Sequence, residues 1–563
     1  MASSIKVGSV AGIPHRDYDT CDDLPYLAGI THNTVFLPSD GRVSLHTAEL
    51  LDLAADRWTD RAYLIDGQMT LTFGDTRQLV RNMSASLLKL RVSAGDRVAI
   101  WAPNCWQWVI GALATHYIGA TLVTLNTRYR GHEAAQILKL SGASTLITIS
   151  EFLGTSFPAL LAEEDCGALR NTIVINGDGP SAFDAILSAG RTALESADQN
   201  AEQAVSLARH AVSSHDISDV LFTSGTTGTP KGVMTRHDQN LRAFSSFTEI
   251  LGLDERDRYL IINPFFHSFG YKAGWLSCLL VGAEAHPMAV FDAGRVIELI
   301  RDRQITCMPG PPTLFHTLIN HPGLHADDIE SLTKVTTGAA VIPTELVESM
   351  WRVLGIDTVI TAYGLSESCG LVSMCRRGDD ASTIAHTSGR AIPDVDIAIM
   401  NAEGEVLTAG ETGEIVVRGF NVMQGYLDEP AATQQAIDSE GWLHTGDVGR
   451  LDEAGNLTIT DRLKDMYISG GFNCYPAEIE QLLTRHPAIS QAAVVGVPDD
   501  RLGEVGTAFL IASDAHRPDD QSLRDWCRQE MANYKIPRRF SWLDELPLNA
   551  SGKVLKTTLR GML

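Results

Sequence analysis

Residues 98–127 read VAIWAPNCWQWVIGALATHYIGATLVTLNT and hold no charged side chain, which leaves a membrane span or a deeply buried piece of a globular fold. Pro103, Asn104, Gln107, His116 and Gly119 interrupt the run and count against a span. The β-rich VAIWA, the helix-length NCWQWVIGALATHYIG and the β-rich ATLVTL instead read as strand, helix, strand. A βαβ unit covered on both faces explains the apolarity without lipid and places the chain in the α/β class.

Working outward, AYLI, Asp66, Gly67 and QMTLTF spell a hairpin with an Asp-Gly turn. Asp75 is then expected to cap a helix whose apolar positions Leu79, Val80, Met83, Leu87 and Leu88 recur every three or four residues. Helical and β-rich segments alternate past residue 330, with a polar surface helix and linker at about 195–216 leading into the strand DVLFT. Beyond residue 392 the texture changes to short β segments with glycine turns. The expected architecture is an irregular arm at 1–43, a large multi-layer α/β domain at 44–464 with a small β subdomain at about 392–460, and a small α+β lid at 465–563. No internal repeat or low-complexity tract is visible.

The 563 residues suffice for three or four domain-sized units, and 44% apolar with 20% charged residues is ordinary globular usage. A net charge of −24 repels a nucleic-acid backbone and argues against a nucleic-acid partner. Residues 465–563 carry 11 basic and 13 acidic side chains, so the tail is near neutral and suited to meeting an anionic ligand. Nine scattered cysteines without a C-x-x-C pair, and an N-terminal stretch without an apolar core, suggest a reduced, cytoplasmic setting. Nothing in the sequence decides the oligomeric state, which leaves room for a homodimer.

The sharpest chemical signal is Thr223, Ser224, Gly225, Thr226, Thr227, Gly228, Thr229, Pro230, Lys231, Gly232, directly after an apolar strand. Hydroxyls, glycines whose backbone N–H groups can approach an anion, and one lysine suit a triphosphate. The Gly-Lys-Ser/Thr ending of a Walker A loop is absent. Further on, Glu367 beside Ser366 and Tyr363, after Gly364, suits a carboxylate holding Mg²⁺ on phosphate oxygens while the tyrosine packs on adenine. Taken alone, Ser366 and Glu367 are also a helix-start cap, and Asp447 with Arg462 a turn residue and a surface ion pair. Metal and hydrolase readings fail. His321 and His325 lack a third ligand nearby in sequence, no HExxH occurs, and the string at Gly364–Ser368 lacks the last glycine of a nucleophile elbow.

The loop at 223–232, Tyr363–Glu367, Gly441–Asp447, Asp461–Asp465 and Pro547–Lys553, in that order, resemble the motifs of the adenylate-forming superfamily, which contains acyl-CoA synthetases, peptide-synthetase adenylation domains and luciferases. The resemblance spans roughly residues 45–560, with Ser366 where the family usually has threonine. It implies a two-step ligase: a carboxylate and ATP give acyl-AMP and pyrophosphate, then CoA takes the acyl group and AMP leaves. It also implies that Asp447 and Arg462 meet the ribose, and that Gly338 and Ala339 meet the adenine and the acyl carboxylate. Gly470 and Gly471 would lie along the pantetheine channel, Lys464 would be the hinge, and Lys553 the catalytic lysine. A cation placed at the bridging oxygens would lower the repulsion between the two anions most in the transition state.

The segments around Phe266, His267, Tyr271, Trp275 and Gly310 supply rings and aliphatic groups without a carboxylate, so a bulky, largely apolar acid is expected. His267 stands where amino-acid-activating relatives usually place aspartate, which argues against delivery of an amino acid to a carrier protein. These segments look most like the fatty-acid–CoA ligase branch that includes activation of a steroid-derived hexahydroindanone propanoate. Medium-chain or aromatic acids are the runner-up, and an inactive nucleotide-binding scaffold is the remote alternative. Lys272 is expected at the surface, with contact to a ring ketone of the acid as the alternative.

Overall fold

The computed structural model describes residues 45–563 except 198, 225–228, 339–341, 402, 463–466, 475, 514–516 and 548–553. The N-terminal arm, Gly225 to Gly228, Ala339, Lys464 and Lys553 therefore lie outside the described residues.

The uncharged stretch folds as strand Arg97–Trp101, helix Trp106–Tyr117 and strand Thr121–Thr124, with the two strands parallel. The helix is buried from Gln107 to Tyr117 because it is packed on both sides. Gly111 sits against Ile100 and Ile147, where a Cβ would come within 2.8 Å of the Ile147 side chain. On its other side Trp108 meets Phe265, Tyr271 and Trp275 at ring separations of 5.5, 6.0 and 6.1 Å. The hairpin forms as Ala62–Asp66 and Met69–Thr72 with Gly67 at φ 60°. The helix cap differs from expectation. The second strand runs straight into helix Phe73–Lys89, so Thr72 is the N-cap, and Asp75 takes the third helical position, where its carboxylate accepts from the Thr72 N–H.

The hairpin closes one edge of a nine-stranded sheet, and the βαβ unit is central to a seven-stranded one. In the first sheet, strands Arg258–Ile261, Cys307–Pro309, Lys334–Thr337 and Thr358–Tyr363 run parallel. In the second, Ile217–Ser224 runs parallel to Thr121–Thr124 and antiparallel to Pro230–Arg236. Thr124 Oγ1 donates to the Phe266 carbonyl at 2.8 Å, which ties the C-terminal ends of strands from both sheets together. Open parallel sheets bind ligands at such ends.

Strands Val395–Met400, Gly413–Gly419, Leu443–Leu451 and Leu457–Arg462 form a four-stranded antiparallel sheet, as the glycine-punctuated texture suggests. The tail forms another sheet around Ile489–Asp499 and Gly503–Ala512. Alternation along those strands sends Val494 and Leu510 into one core, and Ala493, Val495 and Phe509 into a second on the opposite face. The tail thus packs its own cores and meets the body through contacts such as the Arg128 guanidinium, 4.0 Å from the centre of the Phe472 ring. No helix among the described residues is long and apolar enough to cross a membrane.

Candidate active site

The threonine- and glycine-rich loop joins two strands as a hairpin, with Lys231 opposite Thr223 and Pro230 opposite Ser224. Lys231 leaves the loop with its ammonium 5.1 Å from the centre of the Tyr426 ring. The Tyr426 hydroxyl donates to Glu367 Oε1 at 3.0 Å, and the Met423 N–H donates to the Glu367 carbonyl at 2.8 Å. Burial pushes the Glu367 carboxyl up, the hydrogen bonds from Tyr426 and Thr223 oppose that, and nearby Asp447 adds to the rise. The loop lysine, a loop threonine and the carboxylate therefore share one locus, as a triphosphate with its metal requires.

Gly364 follows strand Thr358–Tyr363 at a place where a Cβ would lie 2.3 Å from the Gly370 carbonyl oxygen, so only glycine fits. The Tyr363 hydroxyl donates to Asp447 Oδ2 at 2.6 Å, and Arg462 stands opposite Asp447 across the antiparallel pair Leu443–Leu451 and Leu457–Arg462. The Ser366–Ser368 segment is a short 3₁₀ turn, and its capping hydroxyl belongs to Ser368, which accepts from the Leu365 N–H at 3.1 Å. Ser366 is thus not the cap that its position also allowed. Gly338 continues strand Lys334–Thr337 at the same end of the sheet.

His267 is exposed at the start of a short helical turn, where its Nδ1 accepts from the Phe269 N–H at 3.2 Å. That bond leaves the proton of the neutral ring on Nε2, free to donate. Its pKa lies below the usual histidine value, first because of crowding by protein and second because of the Lys272 ammonium. Tyr271 and Trp275 differ from expectation. Both rings are 0% exposed, stacked on each other at 4.8 Å, and offer no surface to a ligand in this arrangement. They pack on Trp108 from a π-helical turn at Tyr271–Leu276, the segment that follows His267. Gly310 is buried after strand Cys307–Pro309, and its N–H donates to the Thr336 carbonyl at 3.0 Å.

Lys272 also departs from expectation: it is 1% exposed, not at the surface. Its ammonium lies 3.0 Å from Asp219 Oδ1 and donates to Thr235 Oγ1 at 3.0 Å. Asp219 further accepts from Ser218, Thr235 and Asn240 at 2.6–2.8 Å. The ion pair therefore joins the segment that carries His267 to the two strands that carry the phosphate loop. A lone Asp inside ISDVLF and a lone Lys inside FGYKAGW were the signal for it, since an isolated charge in an apolar run demands a partner. Tyr426 had no such signal, because its role arises only when the strands pair.

At the junction of body and tail, Arg128, Arg501, Arg538, Gly470 and Tyr534 line a cavity of about 250 Å³. Gly470 and Gly471 have φ of 58° and 82°, a left-handed backbone that glycine adopts without strain. Asn126 donates to the Tyr534 hydroxyl at 3.4 Å across the same junction. The arginines are dispersed in sequence, so the anion-attracting pocket could not be read before folding.

Residues 51–427 match the AMP-binding enzyme family and residues 478–553 match the AMP-binding enzyme C-terminal domain. The chain belongs to the AMP-binding enzyme family. One relative within it is the 7a-methyl-1,5-dioxo-octahydroindenyl-propanoyl:CoA ligase of Rhodococcus jostii, 45% identical over 91% of this chain and 98% of that protein. The Mycobacterium tuberculosis protein of the same name is 46% identical over 91% of this chain and 97% of its own length. Among solved AMP-binding structures, a double mutant of o-succinylbenzoate CoA synthetase from Bacillus subtilis, bound to its product analogue OSB-NCoA, superposes with a TM-score of 0.78. The same synthetase with its acyl-adenylate intermediate OSB-AMP gives 0.64; in both cases identity is 29% and coverage 92% of this chain and 99% of the other.

Proposed function

We propose that this AMP-binding enzyme is the ligase of a fused-ring keto-propanoate: it activates the acid as an acyl-adenylate and passes the acyl group to CoA. The observation that carries the substrate is the near full-length similarity, at 45% and 46% identity, to two ligases named for that acid. The chain is an acid–CoA ligase of the AMP-forming kind. In the first step a carboxylate oxygen attacks the α-phosphorus of ATP and pyrophosphate leaves; in the second the CoA thiol attacks the acyl carbonyl and AMP leaves.

The residues divide accordingly. Lys231, Thr223 and the loop N–H groups of Ser224, Gly225, Thr226, Thr227 and Gly228 would hold the phosphates. Asp447 would accept from the ribose diol, with Arg462 beside it, while Tyr363, Gly338 and Ala339 would flank the adenine and the reacting carboxylate. No group of three or more His, Cys, Asp or Glu among the described residues could hold a metal. A Mg²⁺ that arrives with ATP fits this donor set, with Glu367 as its protein carboxylate and phosphate oxygens completing its coordination. Bound there, it would neutralise phosphate charge. Lys553 would supply a cation at the bridging oxygens in the first step only.

The higher likeness to the synthetase carrying a CoA-product analogue, at unchanged identity and coverage, supports reading the present arrangement as the thioester-forming one. In it the arginine-lined cavity would take the phosphates of CoA, the pantetheine arm would pass Gly470 and Gly471, and His267 would face the arriving thiol. We place the hinge at Lys464, the lid beyond it, and the enzyme in the cytoplasm. The test is kcat/KM for the indanone propanoate against octanoate, benzoate and acetate, with pyrophosphate release followed with and without CoA. A preference for the indanone acid is expected. A preference for octanoate would remove the ring acid, and one for acetate would overturn the bulky-pocket reading.

A further inference from the structure

Lys535 lies where body and tail meet, yet it is only 2% exposed. Its Nζ donates to Glu478 Oε1 at 2.6 Å and to Glu133 Oε1 at 2.7 Å. Glu478 belongs to the tail helix Pro476–Leu483 and travels with Lys535, whereas Glu133 belongs to the body helix Gly131–Ser141. The other Glu133 oxygen accepts from the Arg130 N–H at 2.8 Å in that helix's capping box, so the carboxylate is held in place before the tail arrives. Tyr129 of the body and Tyr534 of the tail bring their rings to 5.1 and 5.8 Å from the ammonium and close the site on both sides. Among the described residues Glu478 Oε2 has no hydrogen-bond partner, and the Lys535 ammonium sits between the two carboxylates.

The geometry points to Lys535 and Glu133 as a latch: a pair of positioning residues that holds the lid in the orientation used for transfer to CoA. Neither touches the reacting atoms. When the lid turns, the bond between Lys535 and Glu478 survives because both move together, and only the bond to Glu133 breaks. Both separated groups then regain water, so the latch biases the equilibrium without making this orientation irreversible. A fixed partner on each side also sets the register of the docking, which an apolar contact does less sharply. This inference rests on the proposed assignment of the present arrangement to the thioester step.

The test uses the full-length enzyme and Glu133→Gln, which keeps the side-chain shape, with Lys535→Met and the double variant alongside. Acyl-AMP formation is read by pyrophosphate release, and the second step by conversion of supplied acyl-AMP with CoA. Glu133→Gln should slow the CoA step about tenfold, the effect of weakening one orientation by about 1.4 kcal/mol. Acyl-AMP formation should stay within about twofold, and the double variant should lose no more than the single ones. Equal loss in both steps, or no loss in either, overturns the latch. Hydrogen exchange in the substrate-free enzyme separates this from failure of the ligase reading. Residues 126–135 and 533–537 should exchange faster in Glu133→Gln, with melting unchanged, whichever acid the enzyme uses. Unchanged exchange there overturns the latch even if the ligase reading stands.

Discussion

In the role proposed for Glu367, function is set against stability at a single residue. Its carboxyl is raised by burial, so the ionised form that a metal-bound phosphate needs is penalised in the free protein. Below the unfolded pKa of about 4.3 both states are protonated and the penalty is absent; it grows as pH rises and is complete above the folded pKa. Glu367→Gln keeps an acceptor for the Tyr426 hydroxyl while removing the charge. The variant should therefore melt at or above the wild-type temperature at neutral pH, with the gap closing toward pH 4, while acyl-AMP formation falls by about 10²-fold or more. A variant that melts earlier at pH 7, or keeps full adenylation, would contradict the role given to this side chain. At this scale the sequence was legible where its motifs name residues that the fold brings together, as it does Tyr363, Glu367 and Asp447. It was not legible where a side chain's partner comes from a distant strand. The lone charge of Lys272 in an apolar run signals a partner but does not name Asp219, which comes from a distant strand, and Tyr271 and Trp275 looked like pocket residues because composition does not say which side of a wall a ring occupies.

Elements were more legible than residues, because periodicity is local. The βαβ unit, the Asp-Gly hairpin and the antiparallel sheet beyond residue 392 form as their patterns suggest, and each is fixed by contacts spanning a few turns. What binds one element to another was hidden. Cys105, the N-cap of the buried helix Trp106–Tyr117, makes no side-chain capping bond. Asp66 of the hairpin fills the gap, with its Oδ2 accepting from the Trp106 N–H at 3.0 Å. The residue that reads as turn chemistry is therefore also a borrowed cap, placing a carboxylate at the positive end of a helix too apolar to supply one. Asp66→Ala should cost about 0.5–2 kcal/mol in denaturant unfolding, the range of a lost helix cap. Asp66→Asn, which keeps an acceptor and remains suited to the turn, should recover much of it. Equal losses in the two variants would assign the effect to the charge of the carboxylate instead of its hydrogen bond to Trp106.

At the scale of the molecule, the separate cores of the tail allow it to move as a body, and its side of the junction presents Arg501, Arg538 and Lys535. These cations explain why a tail of nearly neutral charge meets an acidic body: Lys535 answers Glu133, and the arginines remain for an anion. A single lid orientation cannot serve both half-reactions if Lys553 is needed for the first and the arginine cavity for the second, and the place proposed for the turn is Lys464. Proline at that position fixes φ near −65° and removes the freedom the turn requires. Lys464→Pro should keep acyl-AMP formation and lose overall ligation to CoA, measured as pyrophosphate release against acyl-CoA accumulation. Adding Glu133→Gln should then change nothing further in the CoA step, because a latch cannot act on a lid that no longer reaches it. Thioester formation at the wild-type rate in Lys464→Pro would place the hinge elsewhere, and a further loss in the double variant would show that the lid still reaches Glu133.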